Sequence, residues 1–186
     1  MGEHLKKPIR ADIVETNIVV FDIEGARNLF THGFYGKPLG VSKPKGAEFD
    51  EPLILDVIEA HYLYEKGLIE VYREGRLIGL EELRDLGNKV YSRFQHLYAV
   101  YRDLRERGFV VTPGIKFGSD FAVYKYGPGI DHAPYIVQVK SAGEEISATE
   151  IVRAGRLATT VRKNFIIAVP EDSGRIRYIL FSWVRL

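Results

Sequence analysis

Between Lys89 and Arg107 the apolar residues Val90, Phe94, Leu97, Tyr98, Tyr101 and Leu104 recur at intervals of three and four. That spacing marks one buried face of an α-helix, and Gly108 follows where a glycine closes such a helix. A helix this long in the middle of a 186-residue chain leaves a stretch on each side that suits one small domain. The pattern predicts an α+β protein in two parts. Residues 1–107, linking helix included, form an N-terminal α/β module with a small mixed sheet and helices. Residues 108–186 form a C-terminal α/β module with a central mixed sheet. With 46% hydrophobic residues and no cysteine, both cores must hold by packing, without disulfides.

In the first module Ile13–Val14 and Ile18–Phe21 read as paired strands around a turn at Thr16 and Asn17. Residues 33–52, rich in Gly, Pro and Lys, read as a long surface loop. Asp50 is placed to cap a helix starting near Pro52 and ending at Gly67, and Leu68–Tyr72 with Leu77–Leu80 reads as a hairpin. In the second module, strands are expected at Phe109–Val111, Phe121–Tyr126, Tyr135–Val139, Phe165–Val169 and Ile176–Val184. Ser147 and Glu150 have capping-box spacing and open a helix over Ala148–Arg162. No repeat relates the two halves.

No segment approaches the roughly 20 apolar residues of a membrane span, and Met1–Arg10 lacks the apolar run of a secretory leader. The expectation is a cytoplasmic protein. The composition, with Met only at position 1 and six Asn plus Gln among many charges, leans towards a hot-living source. Residues 1–85 carry 11 Lys and Arg against 16 Asp and Glu, whereas residues 86–186 carry 15 against 9. The second half is the one suited to face phosphate.

On the helix after Ser147, Ile151, Ala154, Gly155, Ala158 and Val161 share the side expected to be buried. Arg153, Arg156, Thr160 and Lys163 form a cationic stripe opposite, which on its own reads as a solvated face. A cation in the last turn gains ~0.3–1 kcal/mol from the helix dipole whether or not it does anything else. His132 follows a Gly-Pro-Gly loop, where side chains are displayed from a rigid scaffold. His4, His32, His61 and His96 have no comparable setting. Tyr124 and Tyr126 share one strand face by the two-residue period, a common packing arrangement.

Together, Gly118-Ser119-Asp120-Phe121-Ala122-Val123-Tyr124, His132-Ala133-Pro134-Tyr135-Ile136-Val137, Arg156 and Lys163 resemble the tRNA-splicing endonuclease family, in its archaeal form. The resemblance is carried mainly by residues 108–186. It implies a catalytic triad of Tyr124, His132 and Lys163. It also implies that precursor tRNA is cut at intron boundaries, at bulge-helix-bulge type sites, without metal or cofactor, leaving a 2′,3′-cyclic phosphate and a 5′-hydroxyl. The chemistry suits the residues. A ribose 2′-hydroxyl attacks the adjacent phosphate, so one group must take its proton, another must protonate the leaving 5′-oxygen, and a cation must stabilise the added charge. The resemblance further implies a base clamp formed by Arg156 and Trp183, although Trp183 fits a core strand equally well. Lys43 and Lys45, in a loop like that of one archaeal branch, are implied RNA contacts and fit an exposed charged loop equally.

Where relatives often carry arginine this chain has Ala122, and the short loop before His132 leaves Tyr126 open as a substitute base. The resemblance implies a subunit of a tetramer: two catalytic chains with two non-catalytic paralogues, or four identical chains. Glu171-Asp172 and Ile179–Val184 match its subunit contacts. Two rivals stand beside this reading. Asp120, Gln138 and Lys140 imitate a metal-dependent restriction-type nuclease, although Gln is a poor ligand for a hard cation. The other rival is a non-catalytic scaffold that binds tRNA.

Overall fold

The computed structural model describes residues 7–41, 44, 46–115, 118–161 and 163–181. Two compact units part between Phe94 and Gln95, and each holds one mixed sheet with helices, the α+β class read from the sequence. The sequence reading draws its boundary near Arg107. The amphipathic helix instead falls with the second unit, where the Tyr101 ring lies 6.0 Å from that of Phe121 and buried Arg105 donates to the Val111 carbonyl.

In the first unit the strands are β1 (Ile9–Val14), β2 (Asn17–Val20), β3 (Lys37–Pro38), β4 (Leu53–Leu55), β5 (Ile69–Arg73) and β6 (Arg76–Leu77). They are ordered β3-β4-β2-β1-β5-β6. Only β1 and β5 pair in parallel, and Ala11, Ile18, Val20, Leu53 and Val71 from these strands are wholly buried. Three helices accompany the sheet: α1 (Ile23–Gly33), α2 (Val57–Glu65) and α3 (Leu80–Val90).

Several expectations need correction here. The predicted loop over 33–52 contains β3, which pairs with β4, and it buries Phe49. Leu53–Leu55 is strand, so the helix starts at Val57 and its cap is Asp56, not Asp50. The Asp56 carboxylate accepts from the Ile58 N–H at 2.8 Å while Glu59 reaches back to the Asp56 N–H at 3.0 Å. That reciprocal pair satisfies two N–H groups that a helix start leaves unpartnered. Asp50 pairs with Arg27 at the surface. Helices α1 and α3 were not foreseen, and Leu80 begins α3 rather than ending a strand. The long helix, α4 (Phe94–Glu106), starts later than Lys89 because the chain turns extended at Tyr91. Phe94 packs so closely on Gly87 that a Cβ there would lie 2.5 Å from its ring.

The second unit forms a five-stranded sheet in the order β11-β10-β9-β8-β7. Its strands are β7 (Val110–Pro113), β8 (Phe121–Tyr124), β9 (Tyr135–Val139), β10 (Asn164–Pro170) and β11 (Ile176–Phe181). Helix α5 (Ala148–Val161) joins β9 to β10, which run parallel; the other pairs are antiparallel. The predicted capping box is present, with the Ser147 N–H donating to Glu150 at 2.9 Å and the Glu150 N–H to the Ser147 hydroxyl at 3.2 Å. Ala154 of α5 clusters with Ile136, Phe165 and Ile167 on one sheet face. Ile151, expected to be buried, is 42% exposed. Phe121 and Tyr178 point to the other face, where the Tyr178 hydroxyl donates to Asp103 of α4 at 2.6 Å. Among the described residues no helix is long and apolar enough to cross a membrane.

The two candidate caps make opposite predictions. Asp56→Ala should lower unfolding stability by about 1–2 kcal/mol, with further loss because the Tyr91 hydroxyl also donates to this carboxylate at 2.6 Å. Asp50→Ala, at an exposed ion pair, should change it by less than about 1 kcal/mol. Denaturant titration of both variants checks the assignment, and the reverse order of effects would contradict it.

Candidate active site

The strand register brings Tyr124 and Lys163 to one end of the second sheet. Tyr124, the last residue of β8, lies opposite Val110, while its neighbour Val123 lies opposite Tyr135, which in turn lies opposite Asn164. Stepping one residue along each strand puts Tyr124, Pro134 and Lys163 in the next row. Strands lie about 4.8 Å apart, so the Tyr124 and Lys163 backbones stand roughly 10 Å apart across Pro134. By the two-residue alternation both belong with Ala122, Ile136 and Phe165, on the face that α5 covers. The Lys163 ammonium donates to the Ala133 carbonyl at 2.6 Å, which ties it to the residue after His132. His132 is exposed on the loop between β8 and β9.

That loop is organised by Asp131, which the sequence reading did not single out. One carboxylate oxygen accepts from the Lys125 N–H at 3.0 Å; the other accepts from Tyr126 at 3.3 Å and Gly127 at 2.7 Å. An aspartate closing a Gly-Pro-Gly turn onto preceding backbone N–H groups was the available signal. Burial pushes the Asp131 carboxyl up, but the N–H groups of Gly127, Lys125 and Tyr126 outweigh it and hold the group below its ordinary value.

The Tyr124 phenol is part-buried and shifted up. Burial is the main cause, the Asp131 charge adds to it, and the Thr112 hydroxyl opposes it. Lys163 is shifted down, chiefly because burial disfavours its ammonium, with Asp131 pulling the other way. No influence of the Lys163 ammonium is resolved on the Tyr124 phenol; those that are resolved are burial, Thr112 and Asp131.

Arg156 is exposed on α5. Trp183, Lys43 and Lys45 lie outside the described residues, as do positions 182–184 of the expected last strand. Asp120 and Gln138 do meet, since the Gln138 amide donates to Asp120 at 2.8 Å. The same oxygen also accepts the Val139 N–H at 2.7 Å, so this carboxylate ties β8 to β9. Lys140 is paired with Glu144 and Glu150. Tyr126 is 67% exposed. Glu171 bridges Arg177 beside the β10–β11 turn.

Comparison with known proteins agrees over most of the chain. Residues 94–178 match the family described as tRNA intron endonuclease, catalytic C-terminal domain, and residues 9–84 match its N-terminal domain. A tRNA-splicing endonuclease of Hyperthermus butylicus is 52% identical over 178 residues, covering 94% of this chain and 98% of the relative. That of Sulfurisphaera tokodaii is 45% identical over 177 residues, with 94% and 98% covered. That of Sulfolobus acidocaldarius is 44% identical over 180 residues, with 96% and 99% covered.

The two half-buried or paired lysines should titrate apart. Lys163, disfavoured by burial, should lose its proton below the ordinary lysine value, whereas Lys140, held by Glu144 and then Glu150, should lose it above. Between the lowered folded value of Lys163 and its unfolded value the unfolded chain binds more protons, so stability contributed by this group rises with pH there. A carbon-13 NMR titration of the lysine side chains reads this order, and Lys163 titrating with or above Lys140 would contradict it.

Proposed function

The chain belongs to the tRNA intron endonuclease family and is an RNA endonuclease of tRNA splicing, and we propose that it cuts precursor tRNA by metal-independent internal transesterification with Tyr124, His132 and Lys163 as catalytic residues. The shared register row of Tyr124 and Lys163, with His132 leaving the adjoining loop, is the observation that supports this reading. The ribose 2′-oxygen attacks the neighbouring phosphorus at a bulge-helix-bulge site, and its proton passes to the Tyr124 oxygen. The bond to the 5′-oxygen breaks, and that oxygen takes a proton from His132. The Lys163 ammonium stabilises the charge gathered on the non-bridging oxygens. The products are a 2′,3′-cyclic phosphate and a 5′-hydroxyl.

Tyr124 is the costly member. Near neutrality only about one ordinary phenol in 10³ is ionised, and burial makes the fraction smaller here. A phenolate with a raised pKa is also a stronger base, which offsets part of that loss. The half-buried site limits solvation of the Lys163 charge and so strengthens its action on the phosphorane. Arg156 and Trp183 grip an unpaired base in this reading, where stacking contributes about 1–3 kcal/mol per base, and Lys43 and Lys45 meet the RNA backbone. The chain works in the cytoplasm as half of a tetramer with two non-catalytic paralogues, or as one of four identical subunits. A symmetric assembly sets the spacing of its two cleavage sites by geometry.

Three predictions test the residues and the chemistry. In excess EDTA the reconstituted assembly should cut precursor tRNA at an undiminished rate, and His132→Ala should slow it by about 10²–10⁴-fold. Abolition by EDTA would favour the Asp120, Gln138 and Lys140 reading, and full activity of both His132→Ala and Lys163→Ala would favour the scaffold. Tyr124→Phe should remove most of the rate while Tyr126→Phe leaves it intact, measured under single-turnover conditions. The opposite pattern would make Tyr126 the base.

A further inference from the structure

His132 extends an exposed side chain from a loop, yet its backbone is held on both sides. Before it, the Asp131 carboxylate collects the N–H groups of Lys125, Tyr126 and Gly127. The Ile130 and Asp131 N–H groups both return to the Gly127 carbonyl at 3.1 Å. After it, the Lys163 ammonium takes the Ala133 carbonyl and the Asn164 N–H takes the Pro134 carbonyl at 2.8 Å. The turn between these anchors uses Gly127 and Gly129 at φ 133° and 87°, where a side chain would be strained.

We propose that Asp131 is a positioning residue of the cleavage site, which closes residues 125–131 into one rigid loop and thereby fixes where His132 stands relative to Tyr124. This rests on the reading of Tyr124, His132 and Lys163 as the catalytic set. Tyr124 is the residue just before the latched N–H groups and His132 is the residue just after the latching carboxylate, so the latch spans the whole interval between the two. A proton donor displaced by about 1 Å can cost 10²-fold in rate. The charge of Asp131 opposes ionisation of Tyr124, so removing it for electrostatic reasons would ease activation of the phenol. Removing it as a latch does the reverse. Asp131 also favours the Lys163 ammonium, so the two roles are separated by whether the rate change depends on His132.

The test is a double-mutant cycle on the full assembly with precursor tRNA: unaltered chain, Asp131→Ala, His132→Ala and both together. Asp131→Ala should lower kcat by about 10–10²-fold with KM near its original value. In the His132→Ala background the same change should have no effect within about twofold, because a group acting through His132 has nothing left to position. Asp131→Asn keeps one oxygen for Tyr126 and Gly127 and should fall between, which preserves the test if the alanine variant folds poorly. An unchanged or raised kcat in Asp131→Asn, or an equal loss with and without His132, would overturn the latch. If His132→Ala itself cut at full rate, the catalytic reading would fail and the latch with it; a slow His132→Ala with a neutral Asp131→Ala would remove the latch only.

Discussion

The parallel pairing of β9 with β10 is the constraint on which the site depends. Parallel neighbours cannot be joined by a tight turn and need a crossover, usually a helix. In this chain α5 is that crossover, and it returns the polypeptide to the same end of the sheet from which β9 starts. Residues that precede both strands are thereby brought together although some thirty positions separate Ala133 from Lys163. The antiparallel partner β8 arrives at the same end from the opposite direction and contributes its last residue, Tyr124. One register thus brings Tyr124 and Lys163 to the sheet end from which the loop carrying His132 leaves.

The electrostatics at that end are organised around a single carboxylate. Asp131 raises the phenol and supports the ammonium, while burial raises the first and lowers the second. Both groups are therefore pressed towards their neutral forms by the same partial exclusion from water. A poorly solvated ammonium and a reluctant phenol are expensive for stability. In the proposed reaction the ammonium meets the added negative charge and the ionised phenol takes the 2′-hydroxyl proton, so burial makes both working forms scarcer while strengthening the interactions they form in the transition state.

The catalytic unit was more legible in the sequence than the N-terminal one, for identifiable reasons. Its strands are apolar runs punctuated by Gly, Pro and Asp, and its helix opens on Ser147 and Glu150, a local signal that tertiary contacts did not override. In the first unit, Asp50 before Pro52 imitated a cap, while the true cap at Asp56 was masked by the apolar run Leu53–Leu55. Helix α1 is capped by Asp22 directly after an apolar strand that hides its start, and α3 begins behind Gly79 with no side-chain cap to mark it. Tyr124, His132 and Lys163 could be nominated because they fall at the triad positions of the family that the sequence resembles. Asp131 was not, since an aspartate after Gly-Pro-Gly announces a turn but not that its carboxylate gathers the N–H groups of Lys125, Tyr126 and Gly127. The boundary moved for a related reason: the periodicity of α4 predicts a buried face but does not say which sheet buries it.

The central claim is that the ribose beside the scissile phosphate supplies the nucleophile, with protein groups only moving protons and stabilising charge. A precursor tRNA carrying a single 2′-deoxynucleotide immediately 5′ of one scissile phosphate tests it most directly, since the second boundary in the same molecule serves as the internal control. The account predicts no cut at the deoxy position and normal cutting at the other boundary. Cleavage at both boundaries at equal rates would contradict it.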